Sequence, residues 1–87
     1  MAFANKIRVA DRTIGWNVFF SHPEAEGIAT GAVLIPTLLA GVTGPKVPAI
    51  LQGLPHPAWN SACRAGGHHG VKAIVMFFPP HAVLVPR

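Results

Sequence analysis

Hydrophobic and polar positions alternate through residues 6–20 and then stop alternating. Ile7 and Val9 fall on one side of an extended chain, with Lys6, Arg8 and Ala10 opposite. Ile14, Trp16, Val18 and Phe20 then share a face across Gly15, Asn17 and Phe19. A period of two built from β-branched and aromatic residues predicts strands over 6–10 and 14–20. The polar Asp11-Arg12-Thr13 segment between them predicts a hairpin turn.

The next segment changes period. Ser21-His22-Pro23-Glu24 has the form of a capping box, in which a serine hydroxyl accepts from the amide three residues on and the glutamate reaches back to the serine amide. Pro23 would sit in the first turn, where its missing N–H costs nothing. Glu24 and Glu26 would lie at the positive end of the helix dipole. A helix is therefore expected to start at His22 or Pro23, with Ser21 and Glu24 as its cap.

From Gly27 to Pro45 the pattern loses every charge, and Thr30, Thr37 and Thr43 are its only polar side chains. A helix over 22–35 is expected, with a kinked continuation past Pro36 to residue 43. A helix that is apolar all round belongs in a protein interior or a bilayer. The run would extend about 28 Å as a helix, close to the roughly 30 Å hydrocarbon core of a membrane. Gly27 and Gly31 have the spacing that lets two helices pack closely in membranes. Two architectures follow. One is a small α+β domain with N-terminal strands or a hairpin, this capped helix buried, and short C-terminal strands. The other is a single membrane-spanning helix with irregular flanks. Pro36 and the mild hydropathy of the run weigh toward the first.

Prolines and glycines break residues 46–57 into short pieces, with Val47–Leu54 either a strand or a turn of helix. Pro57 can open a brief helix through Trp59, Ala62 and Arg64, closed by Gly66. Val71–Phe78 reads as a buried strand, Pro79-Pro80 ends it, and His81–Val85 reads as another. The 87 residues suit one domain with no internal boundary.

Composition sharpens this picture. Apolar residues make up 51% of the chain and charged residues only 11%. All the acids, Asp11, Glu24 and Glu26, precede Gly27. Too little polar surface means either exposed apolar patches or burial against something else. The net charge of +4 comes from scattered lysines and arginines, without the patch of a nucleic-acid binder. Trp16 and Trp59 flank the uncharged run, as either interfacial anchors or core residues. Lys6, Arg8, Asp11 and Arg12 interrupt any apolar core of a classical secretory signal.

Chemistry is sparse. Cys63 is the only cysteine, which excludes an intrachain disulfide and paired-cysteine zinc fingers. Cys63, His68 and His69 are the candidate metal or haem ligands, since Gly66-Gly67 could bend the chain so that thiolate and imidazole meet one ion. His22, His56 and His81 are single histidines in apolar contexts. No nucleophile elbow or phosphate-binding glycine loop occurs, so an enzyme is not expected. The leading functional expectation is a non-catalytic accessory or structural subunit of a larger, membrane-associated assembly, in contact with other protein subunits and with lipid. The alternative is a small soluble, cytoplasmic, oligomeric binding domain. A metal- or haem-binding protein using Cys63, His68 and His69 is the third.

Overall fold

The computed structural model describes residues 3–39, 41–67 and 69–87. Strands β1 (Phe3–Val9) and β2 (Arg12–Phe20) form the expected N-terminal hairpin. The turn is tighter than Asp11–Thr13. Val9 pairs with Arg12, so Ala10 and Asp11 alone connect the strands, with Ala10 at φ 54°. Positive φ in a two-residue turn matches the right-handed twist of the flanking strands. The register slips between Ile7, opposite Gly15, and Arg8, opposite Thr13, which leaves Ile14 as the extra residue of a bulge.

Helix α1 (His22–Thr30) begins where its cap predicts. The Glu24 amide donates to Ser21 Oγ at 3.4 Å, and the Ser21 amide donates to Glu24 Oε1 at 2.8 Å. The helix then ends before residue 35. Gly31 turns left-handed at φ 82°, and its amide donates to the Ile28 carbonyl at 3.2 Å. Glycine just past the last helical residue is the usual helix stop, because it has no Cβ to clash at positive φ. Helix α2 (Ile35–Leu39) starts afresh, with Pro36 in its first turn, where no amide is needed.

The continuous 22–35 helix and its kinked extension to 43 are thus replaced by two short helices and a turn. No helix of the described residues is long and apolar enough to cross a membrane, so the single-span architecture is not the one adopted. The uncharged run instead buries Ile28, Ile35 and Leu39, one side chain at a time, and leaves Leu34 66% exposed.

Helix α3 (Lys46–Gln52) makes the 47–54 segment helical as far as Gln52, with Gly53 as its C-cap. Helix α4 (His56–Ala65) carries Pro57 in its first turn and is followed by Gly66. Strands β3 (Val71–Phe77) and β4 (Pro80–Pro86) form the second hairpin, joined through Phe78 and Pro79. The sheet is antiparallel throughout in the order β1-β2-β3-β4, and all four helices lie in the connection between β2 and β3. The fold is the expected small α+β.

The helices cover one face of the sheet. Val18, Phe20, Val71, Ala73 and Val75 from the strands meet Ala25, Ile28, Leu39, Val47, Leu51 and Trp59 from the helices in one core. Trp59 is 0% exposed, and its ring stands edge-on to Phe20 with centroids 5.2 Å apart. Burying a large apolar side chain of this kind stabilises by roughly 1.5–3 kcal/mol. Trp59 is therefore a core residue and not an interfacial anchor. Trp16 is half-buried, with Lys6 Nζ 5.7 Å from its ring centroid.

Candidate functional site

The packing of α1 against α4 brings together residues far apart in sequence. Cys63, on the buried side of α4, is 6% exposed. Its Sγ lies 3.6 Å from Nδ1 of His22, the first residue of α1. One turn along α1, Glu26 Oε2 lies 3.1 Å from His22 Nε2. Residues four apart share a helix face, which is why Glu26 reaches the imidazole. A carboxylate only accepts, so it favours the hydrogen on Nε2 and leaves the Nδ1 lone pair to accept from the thiol. The order is thiol, imidazole, carboxylate.

Burial raises the Cys63 pKa above the ordinary thiol range, and the negative charge of Glu26 adds to the effect. At neutral pH the sulfur is therefore held as a thiol that needs a base to react. The three side chains form one wall of an open cleft of about 390 Å³, bordered also by Thr30, Asn60 and Arg64.

Neither His22 nor Glu26 stands out in the sequence as a partner of Cys63. Pro23 and the capping box account for the helix start, and the dipole accounts for the acids. The legible signal is the i, i+4 spacing of His22 and Glu26. What joins them to Cys63 is the α1–α4 contact, which no local pattern specifies. Of the other candidate ligands, His69 is exposed in the loop after α4, with its amide donating to the Gly66 carbonyl at 3.2 Å. His68 lies outside the described residues. Among the described residues no three His, Cys, Asp or Glu side chains form a group able to hold a metal ion.

The two glycines take other roles than helix–helix contact across a membrane. Gly31 is the left-handed stop of α1. Gly27 lets Val33 fold back onto the helix, since a Cβ there would press into the Val33 side chain. The Val33 amide donates to the Gly27 carbonyl at 3.1 Å in the same turn.

A second feature is the sheet face away from the helices. The register aligns its side chains in three rows, Phe3–Phe19–Lys72–Val85, Asn5–Asn17–Ile74–Val83 and Ile7–Gly15–Met76–His81. No element of the described residues covers them. Phe3 is 67% and Val83 51% exposed, while Phe19, Ile74 and Met76 are half-buried. Phe3 and Phe19 meet as a tilted pair with centroids 6.2 Å apart. Lys72 Nζ lies 5.7 Å and Arg87 Cζ 5.2 Å from the Phe19 ring centroid. No carboxylate stands in these rows, and Glu24 borders them in the cleft that Phe3, Asn5, Phe19 and Arg87 also line. Both sheet edges are blunted against further strands, β1 by Lys6 and Arg8 and β4 by Pro80 and Pro86 at its ends.

No protein-family pattern, curated protein or solved structure matches the chain.

Proposed function

We propose that the chain is a non-catalytic accessory subunit that docks onto another protein through the outer face of its sheet. The observation that carries this reading is the apolar outer face itself. An antiparallel sheet with one packed face normally turns polar residues to water on the other, yet Phe3, Phe19, Ile74, Met76, Val83 and Val85 stand there. Aromatics, methionine and an arginine rim are the composition of interface cores. The partner chemistry this fits is an apolar patch edged by carboxylates that pair with Lys72 and Arg87. Edge-on strand addition is disfavoured by the charged and proline-bearing edges, so the face is the contact. In the membrane-associated form of this reading, the attachment comes through the partner, because no described helix spans a bilayer.

A photo-crosslinker placed at Val83 tests the reading in the native cell. The expected result is one dominant adduct with another protein, lost when Val85→Glu is added and not reproduced from the exposed helical residue Gln52. Equal adducts from both positions would remove the proposal. An adduct with a second copy of the chain would replace the accessory subunit by the oligomeric binding domain.

A further inference from the structure

We infer that Cys63 is a self-acylating thiol: His22 Nδ1 takes the sulfur proton, Glu26 holds the imidazole, and the adjoining cleft admits a small acyl ester or thioester. The inference stands apart from the interface reading, because the outer sheet face takes no part in it. Stoichiometric acylation of one thiol is also compatible with a subunit that turns nothing over.

The geometry supplies each requirement of the step. The nucleophile and base are 3.6 Å apart, a hydrogen-bonding distance for sulfur, and the base is oriented by a carboxylate at 3.1 Å. The three groups come from two helices fixed by the core: Ala25 and Ile28 are buried on α1, and Trp59 and Ala62 are buried on α4. A structural cysteine would need none of this order; it would be satisfied by apolar neighbours alone. Cys63 lines the cleft of about 390 Å³, and Asn60 and Arg64, which also line it, carry N–H groups able to donate to a carbonyl oxygen.

The step balances within the site. The S–H bond breaks as a sulfur–carbonyl bond forms, and the proton passes to His22 Nδ1. The bond from the carbonyl carbon to its alkoxide or thiolate leaving group then breaks, and the leaving group takes the proton from the imidazolium. The acyl group remains on sulfur and the imidazole returns to neutral.

Incubating the full chain with p-nitrophenyl acetate tests the inference. The expected result is one nitrophenolate released per chain, with acetyl found on the Cys63 peptide. His22→Ala should slow acetylation of Cys63 about a hundredfold, the lower range for losing a general base, and added imidazole should restore part of the rate. Glu26→Gln alters an exposed side chain and so keeps the fold, and it should slow the same step severalfold. Acetyl on Lys6, Lys46 or Lys72 instead of Cys63 would overturn the inference. So would equal Cys63 acetylation rates in the wild type and both variants.

Discussion

On the inner face of the sheet, Val18, Phe20, Val71, Ala73 and Val75 lie buried beneath the helices. One residue along the same strands, Phe19, Ile74 and Met76 are half-buried on the outer face, and beside them on β1 and β4 Phe3, Val83 and Val85 are exposed. Both faces are therefore apolar, although only one is covered. Strand geometry sends successive side chains to opposite faces, so an alternating strand needs only one apolar set to fold. β3 carries two: Val71, Ala73, Val75 and Phe77 inward, Ile74 and Met76 outward. A strand apolar on both sides is the signature of a sheet covered on both sides. The inner set makes the domain, and the outer set is the surface on which the proposed docking rests.

Substitutions on the two faces should separate these roles. Phe20→Ala removes a ring packed edge-on to Trp59 and should cost about 3–5 kcal/mol in denaturant unfolding. Phe3→Ala, which breaks the outer Phe3–Phe19 pair, should cost about 0.2–1 kcal/mol. Similar losses for both would mean that the outer face helps hold the fold and is not a free surface.

Gly31→Leu tests the turn that ends α1. Forcing a side chain into the left-handed region should lower stability by about 1–2 kcal/mol while leaving partner capture through the sheet unchanged. A loss of capture with full stability would restore the helix-packing role that the Gly27 and Gly31 spacing suggests.

Val83→Lys should change stability by no more than about 0.5 kcal/mol, as surface substitutions do, yet abolish co-purification of the partner. Unfolding curves and native pull-down on the same sample read both effects.

The smallest effect concerns pH. Because the folded state holds the Cys63 thiol pKa above its unfolded value, the associated stability is present below the ordinary thiol pKa and is lost as pH rises through the folded value. Wild type should therefore lose slightly more stability than Cys63→Ser across the alkaline range. Parallel melting curves through that range would show that the thiol is not shielded.

What was legible in the sequence was local. The Ser21–Glu24 capping box, the 14–20 alternation and the proline start of α4 rest on contacts within a few residues, and the structure keeps all three. The uncharged run misled because an apolar composition has no address. Ile28, Ile35 and Leu39 suit a protein core as well as a bilayer, and the stop lay in one glycine with two available roles. The hairpin turn was displaced because the Ile14 bulge shifts the register, which alternation alone does not record. The Cys63–His22–Glu26 order was out of reach, since it depends on how α1 and α4 meet. The outer apolar set was visible as residues, but its alignment into rows needed the strand order.

Carbene footprinting of the chain, alone and in its native assembly, tests the central claim most directly. The account predicts that Phe3, Val83 and Val85 label in the isolated chain and fall silent in the assembly, while exposed helical residues such as Leu34 and Gln52 label equally in both. Equal labelling of Val83 and Val85 in the two states, with protection appearing on the helical side instead, would contradict it.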